Sequence, residues 1–422
     1  MLLLTILILS TLTAVNYRIG RGLLLFPPTV FCLFWTLDLI LVWLAGNFFY
    51  PLSSESLVFF ICGAFIFSCG AWLALVCPLN KLSSDSALPK SSNRPLSVLT
   101  ALIVVSVPFC YYWIVGFSAG LGSNLLLSAR RALIEEMDEP DAATSLFNNI
   151  VGLSMMVALL AFHERAKGGK RSFLAIVASL ALNLLSGGRS GIVALLIGLF
   201  CIDWIKTRRI RWKPLAAIAL TFVLAFGMMA VYLQKGDART DAPIAENAVP
   251  VLNGFVLYAA GGLVAFDRVL RQPNIVPHNW QINRFFLQTM NKIGGRFVVP
   301  ALAADYVTVG PDYLLTNVYT FYFAYIDLGP VGMMSVISFI SFIITIFYRR
   351  AIGGSRVSTL LFSALLGGLI LSVFNESLLF NLNFLLKLWL FSWLFYRLPD
   401  SLAVLSNLVR RSVTNGPKVN VA

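Results

Sequence analysis

Eleven apolar runs, most of them long enough to cross a bilayer, leave this chain few folds to choose from. They fall near 1 to 17, 23 to 45, 56 to 77, 96 to 118, 146 to 163, 172 to 186, 189 to 205, 214 to 233, 318 to 348, 357 to 374 and 383 to 396, and about 20 apolar residues of helix cover the hydrocarbon core. Lipid offers backbone groups no hydrogen-bond partner, so such runs form helices that satisfy their own N–H and C=O groups. The expected architecture is an all-α polytopic membrane protein of about 11 transmembrane helices, one integral membrane domain over 1–422. Composition agrees: 58% of the 422 residues are hydrophobic and 12% charged, against about a quarter charged in a soluble domain.

The net charge of +13 reflects topology and does not point to nucleic acid. The stretches NYRIGRG, NKLSSDSALPKSSNRP, ERAKGGKRS, KTRRIRWK and YRRAIGGSR, with the tail after Phe395, hold 21 of the 32 Lys and Arg. They alternate with basic-poor connections, and cytoplasmic loops are the basic ones. This assignment places the amino terminus outside, the carboxyl terminus in the cytoplasm, and four features on the far face: the loop 119–145, the turn at Arg189, the large loop 234–315 and the short FNESLLFN turn. The first apolar run has no basic segment before it and no small-residue cleavage site after it, so no cleaved leader is expected. The six cysteines lie in or beside apolar runs without CxxC spacing and read as small buried hydrophobes.

The large loop is expected to be ordered. VLNGFVLYAAGGLVAFDRVL is apolar enough to lie along the interface or plug a cavity. NRFFLQTMNKIGGRFVVPAL repeats apolar side chains at helical spacing before a Gly-Gly break. Together they read as a partly membrane-embedded cap over the outer mouth.

No P-loop, G-x-S-x-G, H-E-x-x-H or dinucleotide fingerprint is present, and the only histidines are His163 and His278. What remains is a set of far-face cations with carboxylates nearby. Arginine presents a planar fork of donors that stays charged, which suits phosphate and pyrophosphate. Arg189 is the strongest candidate, because its Gly-Gly turn sits between two apolar runs and leaves the guanidinium close to the backbone. Arg130, Arg131, Arg239, Arg284 and Arg296 are further candidates for binding, although Arg130, Arg131, Arg268 and Arg271 have a competing role in snorkelling to headgroups. Glu376 and Asp327, carboxylates at the ends of spans, are candidate bases; the run Glu135 to Asp141 reads as a solvated face. Lys387, inside the last span, is expected to pair within the protein.

A Gly-Gly-Arg turn between consecutive spans, a large outer loop, and then LLTNVYTFYFAYIDLGPVG leading into a span resemble the Wzy-type polymerases of O-antigen and related surface polysaccharides. The likeness runs from about Arg130 to Glu376 as short motifs on a shared hydropathy plan. It implies a GT-C-like, multi-pass enzyme of the bacterial inner membrane with its site facing the periplasm. Such an enzyme transfers a glycan en bloc from undecaprenyl pyrophosphate onto a new lipid-linked repeat unit, with no metal or cofactor. The implied partners are the lipid-linked donor and acceptor, membrane lipids and a chain-length regulator. O-antigen ligase and lipid-linked oligosaccharide flippase are the alternatives. Ligases carry His-Asn where this chain has Thr316-Asn317, which argues against that one, and His278 in PHNW is then a further candidate base. Arg284 and Gly295, with ten residues between them, match a spaced arginine and glycine motif of some polymerases. By this resemblance Asn317, Tyr319 and Tyr322 join the substrate-binding set, and Tyr313, Trp280 and Phe321 are rings available for stacking on sugars.

Overall fold

The computed structural model describes residues 1–78, 93–118, 142–165, 169–187, 189–211, 244–276, 281–300, 305–311, 313–317, 319–379 and 381–396, with isolated positions at 216, 220 and 227. In chain order the helices are α1 (Leu2–Ile19), α2 (Pro27–Ala45), α3 (Ser54–Val76), α4 (Asn93–Ser118), α5 (Ala142–His163), α6 (Lys170–Leu185), α7 (Arg189–Thr207), α8 (Ile244–Arg271), α9 (Arg284–Lys292), α10 (Gly329–Ile352), α11 (Arg356–Ile370) and α12 (Leu382–Tyr396). Nine helical segments among the described residues are long and apolar enough to cross a membrane, and the chain is a polytopic α-helical membrane protein.

Eight of these segments coincide with expected spans. The run 172–186 forms α6, only 16 residues long, and 383–396 forms the short α12; the run 214–233 lies almost wholly outside the described residues. The ninth segment, Ala248–Arg271, is as long and apolar as the spans, where the sequence reading expected a stretch lying along the interface or plugging a cavity. Its polar end is matched by residues far away in sequence. Asp267 is fully buried and accepts hydrogen bonds from the Ser53 backbone N–H at 2.9 Å and the Ser56 hydroxyl at 2.7 Å, and it pairs with Arg271. Ser53 is itself the N-cap of α3, so a buried carboxylate sits where the helix dipole favours negative charge. A second departure from an all-helical chain is an antiparallel hairpin of β1 (Val307–Gly310) and β2 (Leu314–Thr316).

Helix directions agree with alternating passes. α3 and α10 run parallel: Ser341 donates to the Phe67 carbonyl at 2.5 Å, and Arg349 reaches the Ala74 carbonyl and, at 2.8 Å, the Cys77 carbonyl. α7 and α11 run antiparallel, with Gly198 against Ser363 and Gly367 against Ala194. At Gly70 a Cβ would stand 2.2 Å from the Ser338 carbonyl oxygen, so only glycine permits this α3–α10 crossing, in keeping with small residues at membrane helix interfaces.

At one end of the bundle three basic side chains bond to the free carbonyls of helix C-termini. Arg349 does so for α3, Arg208 for α10 through the Ile352 carbonyl at 2.8 Å, and Lys206 for α5 through the His163 carbonyl. Cations suit these carbonyls because helix C-termini carry partial negative charge. Glu164 joins the same end. Tyr396 donates to it at 2.8 Å and His163 Nδ1 lies 3.0 Å away. Burial raises the Glu164 carboxyl, but these hydrogen bonds and the charges of His163 and Arg356 outweigh it and bring the pKa down to about 2. All six cysteines are free.

Candidate functional site

The end opposite the basic one is where regular structure breaks. The segment Phe321–Leu328 is a 3-10 helix, joined to α10 through Gly329 at φ +67°, and α11 ends in a 3-10 turn, Leu371–Val373. Both lie well below the helix ends around them. Tyr322 Oη abuts Gly63 of α3, about nine residues, or roughly 14 Å at 1.5 Å per residue, in from Ser54. Trp35 donates its indole N–H to Ser372 at 3.3 Å, and Trp35 is about ten residues, roughly 15 Å, below Ala45. Non-helical backbone at such depth is tolerated only where protein buries it or where it lines a polar cavity.

The C-terminal half of α8 covers this recessed layer. Gly262 backs onto the Val373 carbonyl, Tyr258 stacks on Phe374 at 5.1 Å, and Phe266 packs against Phe59, Phe60 and Tyr322. The first half of α8 leaves Val249 and Leu252 exposed. The hairpin closes one side: the Tyr50 N–H donates to the Val309 carbonyl at 2.8 Å, and Gly310 abuts the Phe48 carbonyl.

Arg189 is the first residue of α7, just after Gly187 at φ +65°. Gly191 lets the turn pack closely, because a Cβ there would meet Asn183 Oδ1 at 2.1 Å. Continuing the antiparallel α7–α11 register outward brings the backbone of Arg189 level with Ser372, one turn of chain before Glu376. The side chain of Arg189, and residues Arg130, Arg131, Arg239 and His278 entirely, lie outside the described residues.

Glu376 is buried, and its Oε1 accepts from Tyr325 Oη at 3.0 Å and from the backbone N–H groups of Leu378 and Leu379, both at 2.8 Å. That oxygen braces the turn into α12 and has no room for a substrate proton. Asp327 is partly buried at the end of the 3-10 helix. Asn317 is partly exposed just after β2. Tyr319 is buried, stacks on Phe323 at 4.4 Å and donates to the Asp305 carbonyl at 2.8 Å; burial, then the Asp305 charge, push its phenol up, so it stays a neutral donor.

Tyr322 and Phe321, expected to offer rings to sugars, are instead core residues. Tyr322 is fully buried among Trp35, Phe59, Phe60 and Phe266, and Phe321 lies against Phe31 and Trp35. Arg284 is buried at the rim, where the turn Gln281–Asn283 meets the 3-10 helix, and donates to the Pro300 carbonyl, so it ties the loop together. Arg296 is exposed in the turn that follows α9. Lys387 donates to Asn149 of α5 at 2.7 Å, the internal pairing expected of it.

The sequence reading passed over Asp38. It lies in α2, one turn beyond Trp35 and at the level of the Ser372 turn, and is 5% exposed. Its Oδ2 has no hydrogen-bond partner among the described residues, and neither has Thr320 Oγ1 or Tyr322 Oη in the same layer. Buried polar atoms are nearly always bonded, which makes this carboxylate oxygen the most conspicuous of the exceptions. The signal was available: one carboxylate inside the run FWTLDLILV. No group of three or more His, Cys, Asp or Glu able to hold a metal occurs among the described residues.

Comparison with known proteins returns no match: no family model, curated protein or solved structure is significantly similar to this chain.

Proposed function

We propose that this protein is a glycosyltransferase of the bacterial inner membrane that polymerises lipid-linked glycan repeat units at the periplasmic face. The observation that carries the reading is the recessed layer of irregular backbone at the end opposite the carbonyl-capping cations, which the register of α7 and α11 brings level with the backbone of Arg189, and the buried Asp38 of α2, whose Oδ2 has no partner among the described residues. In this reading the Arg189 guanidinium stabilises the charge that develops on a departing pyrophosphate, worth about 3 to 4 kcal/mol by analogy with oxyanion-hole donors. The acceptor hydroxyl oxygen attacks the donor's anomeric carbon, and the bond from that carbon to the pyrophosphate oxygen breaks, its electron pair leaving with the pyrophosphate. The hydroxyl proton passes to a carboxylate within hydrogen-bond reach. Asp38 suits this role better than Glu376, whose Oε1 already accepts three bonds.

The test is surface-polysaccharide profiling by gel in a deletion strain complemented with wild type or Arg189→Ala at equal protein level. The reading expects a ladder restored by wild type alone, with a single capped repeat unit in the mutant. A deletion strain that caps no repeat unit at all would favour ligase or flippase instead. A full ladder from Arg189→Ala would remove the pyrophosphate role from that turn.

A further inference from the structure

The hairpin at the mouth of the recess has one face turned to the core and one turned out. Val307, Val309 and Thr316 are buried, whereas Tyr306 is 67%, Tyr313 87% and Leu315 46% exposed. The pairing Val307 with Thr316, carried one step further, sets Tyr306 opposite Asn317. Thr308, paired with Leu315, is partly exposed on the same outward face.

Tyr313 adds a second, independent observation. It closes the three-residue connection between Gly310 and Leu314 with φ +57°. That is the left-handed position of a three-residue hairpin loop, where glycine is the relaxed choice. A tyrosine there, almost wholly in solvent, gains nothing from packing to offset its backbone. Strained non-glycine residues of this kind gather at ligand sites.

We propose that this outward face is a glycan-binding platform, with Tyr306 and Tyr313 stacking on sugar rings and Asn317 bonding their hydroxyls. The proposal rests on the reading of the chain as a glycan polymerase. A tyrosine ring offers a large rigid apolar face with a polar tip, which matches the apolar face and hydroxyl rim of a pyranose, and an amide supplies both donor and acceptor. The platform is held in place. Its backbone is bonded to Tyr50, and Tyr319 donates to the Asp305 carbonyl at 2.8 Å, closing the base of the hairpin directly above the 3-10 helix of the recess. A glycan lying on it would lead straight into that layer. A lipid surface fits less well, because this face mixes Thr and Asn with its rings. The uniformly apolar exposed set lies instead on α9 and its following turn, at Phe286, Met290, Ile293 and Phe297.

The experiment uses the full chain in phosphatidylcholine nanodiscs, with polysaccharide released by mild acid from cells carrying the wild-type gene as the probe, read by saturation-transfer NMR and by titration. Tyr306→Ala and Tyr313→Gly are expected to bind about tenfold more weakly, the usual effect of truncating an aromatic anchor. Tyr313→Gly relaxes the backbone and is expected to unfold no more easily than wild type, so weaker binding in that variant is not a folding defect. In cells both variants are expected to give a shortened ladder. Wild-type binding and ladder length from both variants would overturn the platform, as would strong quenching of these tyrosines by brominated lipid. Loss of the polymerase reading is separate: there, wild type itself restores no ladder and binds no polysaccharide.

Discussion

Substitution of Glu376 separates a brace from a base. One carboxylate oxygen accepts the Tyr325 hydroxyl and two backbone N–H groups, all buried or half-buried. Each such donor left unsatisfied costs about 1–3 kcal/mol, so Glu376→Ala, which strands all three, is expected to lose roughly 3–5 kcal/mol. Glu376→Gln keeps an acceptor oxygen at the same place and is expected to lose only about 1 kcal/mol, while Tyr325→Phe, which removes one bond to a charged acceptor, falls between them at about 1.5–3 kcal/mol. Unfolding in detergent followed by tryptophan fluorescence gives these differences, and the polysaccharide ladder gives transfer. The brace predicts that Glu376→Gln keeps most of its ladder and that stability orders the three variants. A Glu376→Gln protein as stable as wild type that makes no polymer would refute the reasoning and return the proton to Glu376. A Glu376→Ala protein within about 1 kcal/mol of wild type would show that the turn does not depend on these bonds.

Asp38→Asn, nearly isosteric, is expected to fold as wild type and lose transfer, whereas Asp38→Glu is expected to keep a fraction of it; an intact ladder from the Asn variant removes Asp38 from the chemistry. Gly70→Ala drives a methyl into the Ser338 backbone and is expected to cost about 1–3 kcal/mol as overpacking, while Gly116→Ala, with open space around it, is neutral or slightly stabilising; equal unfolding of the two contradicts the close crossing. The folded pKa of Glu164, about 2, lies below the ordinary 4.5, so its contribution is complete above pH 4.5 and is lost as pH falls toward 2. The stability difference between wild type and Tyr396→Phe is therefore expected to be constant above about pH 5 and to shrink below it, and a difference that grows on acidification contradicts the assignment.

Most of the long helices were readable because lipid imposes one periodless requirement, apolarity over a fixed length. Partnership was not readable where it crosses long stretches of sequence. The polar end of α8 looks unfit for a buried place until Ser53 and Ser56, more than two hundred residues earlier, are brought to Asp267. Exposure was equally hidden: Tyr313 on the hairpin loop is 87% exposed, whereas Tyr322, nine positions further on, is sealed in the core. Asp38 shows a different limit, since a lone carboxylate inside an apolar run does not reveal from sequence which face of the helix it occupies.

The carbonyl-capping cations have a mechanical consequence. Arg349 fastens α10 to α3, Arg208 fastens α7 to α10, Lys206 fastens α7 to α5, and Tyr396 fastens α12 to the end of α5. These links form an unbroken series of fasteners across one rim of the molecule, while the polar ties of the opposite rim, such as Asp267 to Ser53 and Ser56, are separate from one another. Drawing any one of these five helices away from its neighbours breaks a bond to a helix end, so this rim resists splaying as a unit and not helix by helix.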